Sequence, residues 1–242
     1  DFHLELAPVG RLDIVAALAE RAIDYYDGLP AALRTPQSER NRALAQVRYG
    51  SVLRTQARLD EGRKAIDEAV ATLSRLHEQG DQSEPTAIGL ALGLSTRARI
   101  VSSTEADSAA LPHGAKAVET LQALARVPNA SVALRRAYGD VLTQHGYLQL
   151  RNGEAGSSAT LDQARSAYRS IADLAMTDPS AATSYAEATA WLVEAYSRQD
   201  RMADAIRAAD EVRAITGRVL GERPSHMQAL RAQALASSPL SA

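Results

Sequence analysis

Apolar residues recur along the chain at intervals of three and four, the stripe of a helix that buries one face. Leu59, Ile66, Ala69, Val70 and Leu73 make one such stripe; Leu161, Ala164, Tyr168, Ile171 and Ala172 make another. Breakers interrupt the stripes at Gly80 to Pro85, Pro128-Asn129-Ala130-Ser131, Asp178-Pro179-Ser180 and Gly221-Glu222-Arg223-Pro224-Ser225. Such clusters stop one helix and restart the next, and Ser131 is placed to cap the helix it precedes. The pattern predicts roughly nine to ten helices. The first covers about 12–26 and the last about 225–235.

The helices are expected to come in pairs, because similar apolar settings return. Tyr49-Gly50-Ser51-Val52-Leu53 is one. Ala91-Leu92-Gly93-Leu94, Ala137-Tyr138-Gly139-Asp140-Val141-Leu142 and Leu192-Val193-Glu194-Ala195-Tyr196 follow it. Each is followed by a second helical stretch, over 59–70, 113–127, 161–168 and 202–209.

On these residues the chain resembles the tetratricopeptide repeat family, whose pattern runs W-x2-L-G-x2-Y, then A, F and P. The likeness is clearest at Tyr49-Gly50-x2-Leu53 with Leu59, Gly62 and Ile66, and in the fourth unit at Leu192, Tyr196, Met202, Ala205 and Ala209. It spans roughly residues 39–220. The family repeat has about 34 residues, whereas Gly50, Gly93, Gly139 and Val193 lie 43, 46 and 54 positions apart. The surplus is expected as loops and lengthened helices around Ser102–Ala110 and Asn152–Ala159. A second likeness, over Leu6 to Val15 and Ala22 to Tyr26, is to the opening of the C-terminal repeat region of large bacterial signalling proteins. There such repeats follow an ATPase, a cyclase, a kinase or another effector. The chain begins at Asp1 rather than Met, and it is expected to be a piece of such a polypeptide.

The resemblance implies an all-α, right-handed α-solenoid of antiparallel helix pairs. It would form one helical repeat domain over 1–242, with an N-terminal helix or cap at 11–38. Pairs follow at 39–80, 86–128, 131–178 and 180–221, then a terminal helix at 225–236. Stacked pairs share a continuous core and leave a curved face, which the first helix of each pair lines. Flanking each motif position on that face are Val47 and Ser51, Leu90 and Leu94, Arg136 and Asp140, Ala190 and Glu194. One turn on lie Arg54, Arg97, Thr143 and Ser197, and Glu187 joins the acidic end. The candidate binding set is therefore Val47, Ser51, Arg54, Leu90, Leu94, Arg97, Arg136, Asp140, Glu187 and Glu194. Family members that clamp a peptide's terminal carboxylate carry a set arrangement of Lys, Asn and Arg at these places. That arrangement is missing here, so an amphipathic or extended protein segment is the expected partner. The bland alternative is that these residues form solvated helix faces.

Composition narrows the chemistry. Aromatic residues are 4% of the 242, so small and aliphatic side chains must do most of the packing, which suits helices better than strands. The net charge of −2 gives no electrostatic reason to expect nucleic acid as a partner. Cysteine is absent, which removes disulfides, thiol nucleophiles and thiolate metal ligands. It leaves the compartment open, with a cytoplasmic one expected. No apolar run approaches the ~18 residues of a membrane span. His3, His77, His113, His145 and His226 never fall four apart, so no helical zinc pair is expected. There is no phosphate-binding G-x-x-x-x-G-K-[ST] loop and no G-x-S-x-G elbow. Asp60-Glu61 and Asp67-Glu68 sit beside Arg63 and Lys64 and read as solvated helix charges. Tyr25-Tyr26 and Trp191 are either anchors or core. No catalytic residue, metal or cofactor is expected, and protein or peptide recognition is the expected function. A stand-alone adaptor or chaperone and a helical enzyme are the other readings.

Overall fold

In the computed structural model, residues 12–175 and 179–237 are described, with backbone alone for 172–175 and 179. The expected opening motif over Leu6 to Arg11, His3, the breaker at Asp178 and the side chain of Ala172 lie outside the described residues. Among those residues there are ten α-helices and no strand. They are α1 (Leu12–Asp27), α2 (Pro36–Thr55), α3 (Leu59–Glu78), α4 (Glu84–Thr104) and α5 (Asp107–Ala125). After them come α6 (Val132–Arg151), α7 (Ser157–Ala175), α8 (Pro179–Arg198), α9 (Met202–Glu222) and α10 (Met227–Ser237). A short 3-10 turn, Ala31–Leu33, separates α1 from α2.

Local chemistry sets the helix ends. Thr35 and Ser38 close a reciprocal capping box at the start of α2, with Pro36 in the first turn. Ser131 caps α6 as its position predicted, its hydroxyl accepting from the Leu134 N–H at 3.0 Å. Four helices end alike: α2 at Ala57, α3 at Gly80, α6 at Gly153 and α8 at Asp200 all turn through positive φ. After α2 the Ala57 N–H donates to Arg54 O and the Arg58 N–H to Leu53 O; the same pair of bonds closes the other three ends. This is the Schellman arrangement, which satisfies the last carbonyls and reverses the chain within three residues. A reversal that tight, between helices of about twenty residues, makes neighbours antiparallel.

The chain divides into two compact units, 1–124 and 125–242. In the first, α1 packs on α2, α2 on α3, α3 on α4, and α2 lies beside α4. Leu53, Ile66, Leu73, Leu76 and Ile100 form its fully buried centre. Helix α5 buries Ala110, Gly114, Ala117 and Leu121 along one face, and it runs through Pro112. In the second unit α6 packs on α7, α7 on α8, α8 on α9, and α10 on both α8 and α9. Leu142, Leu148, Leu161, Leu192 and Val212 are buried there.

The repeat is more regular than the sequence suggested. Pro36, Glu84, Val132, Pro179 and Met227, which open the first helices, follow one another at 47 or 48 positions. Gly93 is not the structural counterpart of Gly50, so the intervals between the motif glycines do not measure the repeat. Gly50 is the fifteenth residue of α2 and faces Ile66 and Gly62 of its own partner, α3. Its counterpart, the fifteenth residue of α6, is Gly146, which faces Leu161. Gly93 instead faces Val70 and Val47 of the preceding pair. Of the two forms expected for the extra length, lengthened helices account for it and long loops do not. The turns at the two expected insertions are only Glu105–Ala106 and Asn152–Gly156, and the added residues lengthen the helices.

Candidate functional site

Within each unit the first helices run alongside one another in the same direction. In the first, Leu44 meets Gly89 and Val47 meets Gly93. In the second, Arg136 donates to Ser180 Oγ at 3.0 Å and Thr183 to Gln228 at 3.2 Å, while Arg231 lies 3.8 Å from Glu187. A first helix must therefore spend one face on its partner and another on the next first helix. Only a narrow stripe remains.

This geometry sorts the expected binding residues. Val47, Leu90 and Leu94 are buried, with 6%, 6% and 7% of their surface exposed. Their burial corrects the expectation that they face outward, and Val47 packs against Gly93 of the next pair. Ala190 and Thr143 are buried too, and the Thr143 hydroxyl donates to Gly139 O of its own helix. Ser51 and Arg54 are half-buried. Arg97 lies 3.1 Å from Asp67 on α3. Glu194 accepts from Arg198 at 2.7 Å. Asp140 accepts a hydrogen bond from the Tyr168 hydroxyl of α7.

On the first helices of the second unit, large side chains recur at one lateral interval, and two of them touch. Tyr147 of α6, Trp191 of α8 and Leu235 of α10 stand 44 positions apart, the same lateral interval that joins Arg136 to Ser180. All three are half-buried. The Tyr147 and Trp191 rings are tilted against each other with centroids 4.5 Å apart. Arg151 lies over the Tyr147 ring at 5.9 Å. Trp191 and Leu235 rest on the buried cluster of Leu192, Val212, Ala232 and their neighbours. Tilted aromatic pairs and cations over ring faces are energetically favourable, and a rigid aromatic surface loses little entropy on binding. Trp191 was singled out in the sequence; Tyr147 and Leu235 were not. The signal is a 44-residue recurrence of large residues, masked in the sequence because glycines with different packing partners look alike.

Two turns before Tyr147 the surroundings are polar. Burial pushes the Asp140 carboxyl up to about 6; the Tyr168 hydroxyl and Arg136 pull it back, and Glu187 adds to the rise. The same burial, with Asp140 beside it, pushes the Tyr168 hydroxyl well above its ordinary value. The stripe thus runs from charged groups to an aromatic and aliphatic row.

Two clefts among the described residues are lined by carboxylates that are already engaged. One, of about 390 Å³, is lined by Arg126, Arg135, Tyr138 and Asp162, and its carboxylate pairs with Arg165 at 2.6 Å. The other, of about 340 Å³ between α1, α2 and α3, contains Glu61, paired with Arg58, and Glu68, which accepts from Gln46. No group of three or more His, Asp or Glu side chains suited to a metal occurs among the described residues. No helix among them is long and apolar enough to cross a membrane. Neither a family profile nor a curated protein matches the chain.

Proposed function

We propose that the chain is a protein- or peptide-binding helical-repeat scaffold of the tetratricopeptide kind, serving as the partner-binding arm of a larger bacterial signalling protein. The observation that carries the reading is the Tyr147–Trp191–Leu235 row. Three parallel helices each carry a large, half-buried side chain at the same lateral interval, which is how repeats build an extended recognition surface. Aromatic anchors of this kind dominate binding energy when a partner finishes their desolvation. Arg151 over Tyr147 and the acidic Asp140 and Glu187 give the stripe a polar boundary that can set the direction of a bound segment. The preferred ligand is an extended or amphipathic segment with two or three apolar side chains.

The test is a peptide-display selection on the intact chain, repeated with Trp191→Ala. Enriched peptides should carry spaced apolar residues and bind the variant at least about tenfold more weakly. Tyr147→Ala should weaken them similarly. Equal enrichment on wild type and on a Trp191→Ala protein of unchanged circular dichroism would refute the reading.

A further inference from the structure

The first unit holds a different and independent feature. Arg54, in the last turn of α2, is half-buried, and its Nε has no hydrogen-bond partner among the described residues. Among the described residues its guanidinium donates to the neighbouring Thr55 hydroxyl alone, through Nη2 at 3.3 Å. Among the described residues no carboxylate pairs with it. The α2 residues after Glu39 and the α4 residues after Glu84 contain no acid at all. Among the α3 acids, Glu61 pairs with Arg58, Asp67 with Arg97, and Glu68 accepts from Gln46. The lateral register that sets Leu44 on Gly89 and Val47 on Gly93, carried on by two turns, sets Arg54 level with Arg99 of α4, whose charge acts on it. Burial, with Arg99 adding like charge, lowers the Arg54 guanidinium to about 10.

A cation desolvated without an anion costs stability, and a second cation beside it adds to the cost. The carbonyl end of α2 offsets part of this. What remains is an unfilled demand for negative charge at a guanidinium whose planar fork matches two oxygens of one oxyanion. The geometry points to an oxyanion-binding subsite at Arg54, with Arg99 beside it, that takes a carboxylate or phosphate group of an acidic peptide segment. It does not depend on the aromatic row of the second unit, and its test is separate.

The intact chain, labelled with nitrogen-15 in arginine, is titrated at low ionic strength with three probes. They are inorganic phosphate, a capped tetraglutamate peptide and the same peptide with phosphoserine in place of two glutamates. The Arg54 Nε–Hε resonance, assigned by its loss in Arg54→Lys, should move saturably with at least one probe. The tightest arm names the source of the oxyanion. Arg54→Gln should weaken that probe about tenfold or more and Arg99→Gln by a smaller factor. In anion-free buffer Arg54→Met should melt no lower than wild type, because the unpaired charge is gone while the stem still packs. An Nε–Hε resonance unmoved by all three probes would overturn the subsite, a result that needs no variant to fold. So would an Arg54→Gln protein that titrates like wild type.

Discussion

Asp140 shows what a half-buried charge does in a helix interface. Its carboxyl is pushed up to about 6 by loss of water, against the pull of Tyr168 and Arg136. A carboxyl whose folded value lies above its unfolded one, about 3.9, stabilises the protein most when protonated. Its contribution is therefore full below about pH 4 and is lost as pH rises through about 6. Asp140→Asn keeps an acceptor for the Tyr168 hydroxyl and removes the charge. Its melting temperature is expected to exceed wild type at pH 7.5 by a few degrees, roughly 1 kcal/mol, and to converge with wild type near pH 4. Thermal melts across that range check it. Individual side chains were the least legible scale in the sequence. Val47, Leu90 and Leu94 were expected outward but are buried, because a residue's environment depends on how the next pair is set beside it. Helical periodicity within one helix carries no trace of that register.

The helices themselves were legible, since apolar stripes three and four apart and the breakers between them are local signals. All-α class and consecutive pairing follow from these alone. Their ends were partly legible. Gly80 and Gly153 announce a left-handed residue after a helix, whereas Ala57 and Asp200 fill the same role without glycine. An L residue there is strained by about 1 kcal/mol. Ala57→Gly is accordingly expected to be neutral to stabilising by up to ~1 kcal/mol, read as a shift in the urea midpoint, although glycine also enlarges the unfolded ensemble. The close approaches between paired helices should respond the other way. A Cβ at Gly139 would sit 2.7 Å from the Tyr168 ring, and one at Gly146 2.7 Å from Leu161. Gly139→Ala and Gly146→Ala are each expected to lower stability by about 1–3 kcal/mol. A midpoint unchanged in both would mean that α6 and α7 are not packed this tightly.

At the scale of the whole chain, each compact unit is built by the same rule: antiparallel neighbours in sequence and parallel first helices. The period of 47 or 48 was hidden in the sequence because glycines with different jobs, Gly50 against its partner and Gly93 against the preceding pair, look alike in one dimension. The lateral interval of 44 that aligns Tyr147, Trp191 and Leu235 differs from the period, since neighbouring helices are staggered along their length. Recognition along that row is the central claim, and the chain supplies its own reporter, because Trp191 is the one tryptophan in the sequence. The most direct measurement is the emission spectrum of the unmodified protein as a display-selected peptide is added to saturation. Binding on the row should exclude water from the indole and shift its emission to shorter wavelength, with a midpoint equal to the independently measured Kd. A peptide that saturates the protein while leaving Trp191 emission unchanged would contradict recognition at this site.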